Sequence, residues 1–215
     1  MTRIPFVLPS DHAANAARVA DHLRRGGLVA YPTETVYGFG CTLDAAALER
    51  LARLKSREGA KAFLLLVLDR SQLPGLDWTQ DARRLAEAFW PGPLTLALRA
   101  LRPFPARVTG AGGTVAVRAT SHPGIRALLE ALGEPITSTS VNLPGEPPAS
   151  DVEEVVRVAA AVGAGDDLWI LDGGRLPPSP PSTIVDCSIS PPRILRHGAV
   201  TAEELRRVVD GIDGG

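Results

Sequence analysis

Two lysines stand apart in this chain. Of 23 basic residues only Lys55 and Lys61 are lysine, and both fall in the stretch Lys55-Ser-Arg-Glu-Gly-Ala-Lys61, with Arg57 between them. A lysine ammonium is a compact point charge with three donors, whereas an arginine is a rigid planar fork, so at a tight anionic site they are not interchangeable. Lys55, Arg57 and Lys61 together suit the neutralisation of phosphate charge. The same stretch also fits a solvated helix end whose cations meet the C-terminal dipole.

More candidates sit where strands are expected to end, the usual place for ligands in α/β sheets. They are Thr35 in Pro32-Thr-Glu-Thr-Val-Tyr-Gly38, Thr114 with Arg118, Ser138, Ser140 and Asn142 in Ser138-Thr-Ser-Val-Asn142, Ser182 and Arg196. Hydroxyls, one amide and several cations, with few acids, suit binding and polarising an anion. Attack on a phosphate requires in-line positioning and neutralisation of the phosphoryl oxygens, not a protein nucleophile. Taken singly, a Ser or Thr here caps a helix or bonds backbone, and Arg118 or Arg196 pairs with a surface carboxylate. The set carries the reading.

Familiar alternatives are missing. There is no GxxxxGK[ST] loop, no GxSxG elbow and no HExxH pair, and Gly38-Phe-Gly40 lacks the third glycine of a dinucleotide fingerprint. His12 and His22 fall on a helix expected to be largely surface, where a catalytic role is disfavoured.

The elements expected to hold these residues alternate. Ala16, Val19, Ala20 and Leu23 predict a helix over residues 11–25, stopped by Gly26-Gly27. Further helices are expected at 44–54, 79–89 and 123–132, and the capping-box patterns Ser150-Asp-Val-Glu153 and Thr201-Ala-Glu-Glu204 open two more. Strands are expected at 28–31, 63–68, 94–99, 114–118, 136–139, 168–171, 183–187 and 193–195. Back-to-back strands at 94–118 and 183–195 argue for a mixed sheet in an α/β domain. Pro177-Pro-Ser-Pro-Pro181 reads as a stiff loop inside the domain, which with residues 32–38 is expected to form the lip of the ligand site.

Composition sets outer bounds. The 215 residues suit one domain over 1–215, 45% of them are hydrophobic, and the net charge of −1 disfavours a general nucleic-acid binder. Charge is uneven: residues 83–126 hold seven arginines and one acid, and 127–172 hold one arginine and nine acids. That pattern is compatible with one positively lined face. Two cysteines without CxxC spacing, no apolar leader and no bilayer-length apolar run lead to the expectation of a cytoplasmic protein that does not contact membrane.

With these residues in view, the chain resembles the threonylcarbamoyl-AMP synthase family, the YrdC-type domain, from about residue 13 to 205. The resemblance rests on Tyr31-Pro-Thr-Glu-Thr-Val-Tyr-Gly38, Lys55-x-Arg57, Trp90-Pro-Gly-Pro-Leu-Thr95, Thr114-Val-Ala-Val-Arg118, Ser138-Thr-Ser-Val-Asn142, Ser182-Thr-Ile-Val-Asp186 and Ile194-Leu-Arg-His-Gly198, in the family's order. It implies a single twisted YrdC/RibB-like domain with a mixed parallel/antiparallel sheet flanked by helices and a large positively lined cavity. It implies an ATP-dependent nucleotidyltransferase that condenses L-threonine, bicarbonate and ATP to threonylcarbamoyl-AMP and pyrophosphate. Magnesium would arrive with ATP, and a tRNA threonylcarbamoyl-transferase complex would take the product to tRNA.

Carried over by position, Thr35, Arg118, Ser138 and Ser182 would hold threonine. Lys55, Arg57, Lys61, Thr114, Ser140, Asn142 and Arg196 would hold ATP, with Lys55, Arg57, Ser140 and Asn142 at the chemistry. Departures from the family's pattern are Glu58 and Ala62 in place of prolines, Val141 in the Ser-x-Asn segment, Pro144 where Ser is usual, and Leu66 where some members carry a threonine-holding His. The chain resembles the single-domain form. Two other functions fit the same fold: a module that binds double-stranded RNA or tRNA through the arginines of 83–126, and a paralogue forming a related carbamoyl-adenylate on another substrate.

Overall fold

The computed structural model describes residues 1–55 and 61–214. The strands are β1 (Thr2–Pro5), β2 (Leu28–Tyr31), β3 (Gly38–Gly40), β4 (Leu64–Val67), β5 (Leu94–Arg99), β6 (Thr114–Ala119), β7 (Ile136–Ser140), β8 (Leu168–Asp172), β9 (Thr183–Asp186) and β10 (Arg193–Arg196). The helices are α1 (Pro9–Arg24), α2 (Ala45–Leu54), α3 (Gln80–Phe89), α4 (Pro123–Leu132), α5 (Val152–Ala161) and α6 (Ala202–Val208). The strands form one sheet in the order β1-β8-β2-β3-β7-β4-β6-β5-β9-β10. β1 and β2 run parallel to β8, β4 parallel to β6 and β5 parallel to β9, while β2/β3, β3/β7, β4/β7, β5/β6 and β9/β10 are antiparallel. The expected mixed sheet is therefore present.

Successive strand residues point to opposite faces, and the core divides accordingly. In β4, Leu65 and Val67 join the apolar cluster under α2, α3, α5 and α6, whereas Leu66 joins a second cluster with Val19 and Leu23 of α1 and Leu128 and Leu129 of α4. Each fully buried Leu, Ile, Val or Phe contributes about 1.5–3 kcal/mol. Two helices therefore cover one face and four the other.

Two elements lie outside the sequence reading. β1 is four residues ending in proline, too short for alternation to show. β3 is Gly-Phe-Gly, which reads as a turn. It is a strand because β2 and β7 pair with it on both sides, and the second glycine allows close approach: a Cβ on Gly40 would lie 2.2 Å from the Thr137 carbonyl oxygen.

Helix starts show one match and one offset. Thr201 forms the expected capping box with Glu204. The other cap shifts by one residue: Asp151 accepts from the Glu154 amide at 2.9 Å, and Glu154 accepts from the Ser150 amide at 2.7 Å. The aspartate displaces Ser150 as the cap because it holds that amide with a full charge.

The histidines of α1 are corrected more strongly. Both His12 and His22 are buried, at 8% exposure. His12 Nε2 lies 3.0 Å from the Phe6 carbonyl, and His22 Nε2 lies 3.0 Å from the carbonyls of Leu28 and Asp167 while its ring stacks on Trp169 at 4.0 Å. They tie α1 to the segment after β1 and to the starts of β2 and β8.

His122 caps α4, its Nδ1 accepting from the Ile125 amide at 3.4 Å, which requires the neutral ring. Burial, and then the neighbouring His12, push its pKa from 6.5 down to about 4. The unfolded chain therefore binds the proton more readily. This contribution is complete above about pH 6.5 and is lost as pH falls from about 6.5 to about 4. We expect unfolding free energy to drop by on the order of 2 kcal/mol across that window, and His122→Asn to remove this component in denaturant titrations.

Candidate active site

The face that α1 and α4 cover over part of the sheet carries a cavity further along. Register places its floor: Leu64 opposite Ser138, Arg118 beside Leu66, Ala97 opposite Ala116, and Thr95 beside Ile184. Of these, Leu64, Ser138, Arg118, Ala116, Thr95 and Ile184 line a cavity of about 290 Å³. Thr33, Thr35, Val36, Tyr37 and Gly38 form one wall, and Pro148, Pro181, Ser182 and Arg196 contribute to the others. Of the two segments expected to form a lip, Thr33, Thr35 to Gly38 and Pro181 line the cavity, while Pro177, Pro178 and Pro180 are exposed outside it. The lining cations are Lys61, Arg118 and Arg196.

Arg118 is the group that most demands explanation. It is 3% exposed, and its Nη1 reaches Thr35 Oγ1 only at 3.5 Å. Its Nε is 3.8 Å from Glu34 Oε1, a charge contact too long for a hydrogen bond. Among the described residues that Nε and Glu34 Oε1 are both buried without a hydrogen-bond partner. A buried guanidinium so poorly matched is costly unless a ligand completes it.

The opposite wall is organised by Arg196. Its Nε and Nη2 donate to the Ser182 carbonyl at 3.1 and 2.8 Å, and Nη2 donates to Ser182 Oγ at 3.0 Å. Ser182 Oγ lies 2.9 Å from Thr95 Oγ1. Burial, and then the charge of Arg118, lower the pKa of Arg196, so the two guanidinium groups share one field. Gly198 keeps this wall closed, since a Cβ there would lie 2.1 Å from the Pro181 carbonyl oxygen. The cis peptide Trp90-Pro91 begins the turn that delivers Thr95, and the Gly92 amide donates to the Ala119 carbonyl at 2.8 Å.

A second compartment of about 210 Å³ adjoins the first, with Lys61 and Ser140 lining both. Lys55 caps the C-terminus of α2 and crosses to the end of β7, where its Nζ donates to the carbonyls of Ser140 at 3.0 Å and Asn142 at 2.8 Å and to Asn142 Oδ1 at 3.0 Å. Ser140 Oγ donates to the same Oδ1 at 2.7 Å, and Asn142 Nδ2 holds the carbonyls of Leu143 and Glu146. Lysine is needed here because three acceptors converge on one point, an arrangement a planar fork cannot match.

The structure thus gathers Thr35, Arg118, Ser138, Ser182 and Arg196 in one compartment and Lys55, Ser140 and Asn142 in the next, with Lys61 and Ser140 between. Arg196, assigned with the nucleotide residues on sequence, contacts Ser182 of the threonine set. Thr114 lines neither compartment; its hydroxyl donates to the Ala111 carbonyl at 3.0 Å. Arg57 lies outside the described residues. Leu66, noted in the sequence as a departure from the family's pattern, is fully buried in the α1/α4 cluster and serves packing. Sequence reasoning passed over Thr95 and Glu34. Their only signal was membership in the Trp90–Thr95 and Tyr31–Gly38 segments.

A mixed sheet carrying two adjoining cavities, lined by Lys55, Lys61, Arg118 and Arg196 among the described residues, defines the α/β domain and its candidate site. Its family is shown by comparison: the Sua5/YciO/YrdC family, described as "Telomere recombination", matches residues 21–198, and the chain belongs to it. The chain is 45% identical over 183 residues to a protein of Chromohalobacter salexigens named threonylcarbamoyl-AMP synthase, covering 80% of this chain and 93% of the relative. It is 36% identical over 196 residues to a Pyrococcus abyssi protein of the same name, covering 90% of this chain but only 56% of that longer relative. Among solved structures, P. abyssi Sua5 complexed with L-threonine superposes with a TM-score of 0.88 at 32% identity, over 100% of this chain and 62% of that one. Escherichia coli YciO superposes at 0.80 and 31% identity, over 95% and 98%.

Proposed function

We propose that the protein makes L-threonylcarbamoyl-AMP from L-threonine, bicarbonate and ATP, releasing pyrophosphate and water. The observation that carries this reading is Arg118: a buried, unfilled guanidinium beside hydroxyl groups, one compartment away from a lysine-clamped loop. Arg118 forks onto the threonine carboxylate, with Thr35, Ser138 and Ser182 supplying hydroxyls around the remaining polar groups. The amino group of threonine and bicarbonate form the carbamate, and a carbamate oxygen attacks the α-phosphorus of ATP as the bond to pyrophosphate breaks. Lys61, and Arg57 by family position, neutralise the triphosphate, while Lys55 holds Ser140 and Asn142 against it. Burial of the floor removes water that would otherwise hydrolyse the mixed anhydride product.

Magnesium belongs with ATP as part of the substrate; among the described residues no group of three or more His, Cys, Asp or Glu side chains could hold a metal ion. The product would pass to a tRNA threonylcarbamoyl-transferase complex in the cytoplasm. No helix among the described residues is long and apolar enough to cross a membrane.

The test is pyrophosphate release by purified protein with ATP and magnesium, omitting threonine and bicarbonate in turn. We expect release only with both. ATP binding without that dependence would instead favour a carbamoyl-adenylate on another substrate. The RNA-module reading is weakened by geometry: Arg99 pairs with Asp77 at 2.7 Å, Arg107 pairs with Glu49 at 2.7 Å, and Arg118 is buried. The arginines of 83–126 therefore do not form one open cationic face. A tRNA affinity that falls steeply with salt would revive that reading.

A further inference from the structure

We propose that Glu34 is a positioning residue of the amino-acid compartment, setting the direction of the Arg118 guanidinium and the place of the loop that carries Thr35. The inference rests on the reading of that compartment as the threonine subsite.

Glu34 sits between Thr33 and Thr35, which line the cavity while Glu34 does not. Its Oε2 accepts from Thr120 Oγ1 at 2.6 Å. Thr120 is fully buried, and its Oγ1 also accepts from the His122 amide at 3.2 Å, so its hydroxyl proton is committed to Glu34. The carboxylate is thereby anchored to the chain leaving β6, two residues beyond Arg118. Its other oxygen, Oε1, is solvent-excluded, makes no hydrogen bond among the described residues, and lies 3.8 Å from the equally unsatisfied Nε of Arg118. The two complementary groups are about an ångström short of a normal bond.

A guanidinium that binds a carboxylate through its terminal nitrogens needs its Nε edge held, or the fork swings and loses the second hydrogen bond. Glu34 supplies that hold through charge and through an anchor outside the cavity. Because the same residue joins the Thr33–Thr35 wall to the end of β6, it sets both partners of the carboxylate together. A glutamate serving only to fasten the loop would need its contact with Thr120 and nothing opposite Arg118.

Glu34→Gln separates these roles, since an amide oxygen still accepts from Thr120 while the charge facing Arg118 is gone. In the pyrophosphate assay we expect the threonine KM to rise about tenfold, with kcat and the ATP KM within about twofold. The unfolding midpoint should fall by only a few degrees, at about 2–4 °C per kcal/mol lost where the Arg118 charge loses its nearest carboxylate, leaving the protein folded at assay temperature. Thr120→Val should raise the threonine KM by a smaller factor, and the double variant should match Glu34→Gln alone, because both act along one path. An unchanged threonine KM in Glu34→Gln, a fall in kcat alone, or additive effects in the double variant would each overturn the assignment. If the native protein releases pyrophosphate without threonine, the function itself fails and this assignment fails with it. Threonine dependence in the native protein confines any other failure to Glu34.

Discussion

Arg118→Ala is expected to lower kcat/KM for threonine by at least about 100-fold while ATP affinity stays within about twofold. Two charge-assisted hydrogen bonds to one carboxylate are together worth about 3 kcal/mol or more, which sets that size. The substitution also leaves the Glu34 carboxylate buried without its nearest cation, at a cost of about 1–3 kcal/mol in stability. Arg118→Lys separates the two losses. It keeps the charge near Glu34 but not the fork, so the folded state should survive while the threonine KM still rises at least about 30-fold. Steady-state kinetics alongside denaturant unfolding decide the matter, and near-native threonine kinetics in Arg118→Lys would show that no bidentate carboxylate is bound there.

Lys55→Ala is expected to cost at least about 100-fold in kcat/KM for ATP, with the threonine KM changed much less. Its ammonium makes three of the contacts that hold Ser140 and Asn142 in place. Each is a hydrogen bond to a charged donor, worth about 1.5–3 kcal/mol when its partner is left buried. Lys55→Arg should fail almost as badly, because a planar fork cannot converge on the Ser140 and Asn142 carbonyls and the Asn142 amide oxygen at once. If Lys55 were only a cation at a solvated helix end, both variants would retain native activity in the pyrophosphate assay.

Much of this architecture is legible in the chain because its strands and helices have strong, distinct periodicities. Leu48 and Leu51 on α2 announce their buried face by helical spacing, and the unbroken apolar run at 63–68 announces a strand buried on both sides. β3 does not, because two of its three residues are glycine and only pairing on both sides makes them a strand. The site is legible as a set of residue types, since hydroxyls and cations at strand ends have few other uses in such number. Its arrangement is not. That Arg196 grips Ser182 depends on the register shift between Ile194 and Arg196 in the β9/β10 pairing, which has no local signature. Likewise Glu34 meets Thr120 across 86 residues of sequence. The arginine run at 83–126 misleads for the same reason: proximity in sequence says nothing about which carboxylate each will find.

The alternation along β6 has a consequence for how this chain can change. Ala116 and Arg118 face the cavity, while Val115 and Val117 face the core beneath α2 and α3. Adding or deleting a single residue within that strand would exchange the two sets at once, sending a guanidinium into hydrocarbon and a valine onto the cavity floor. Length variation inside β6 is thus subject to a parity rule: an odd step costs fold and site together unless a β-bulge absorbs it. Lineages that diverge in length must do so in the connections, where residues 100–113 and 173–181 offer room without disturbing which side of the sheet each side chain occupies.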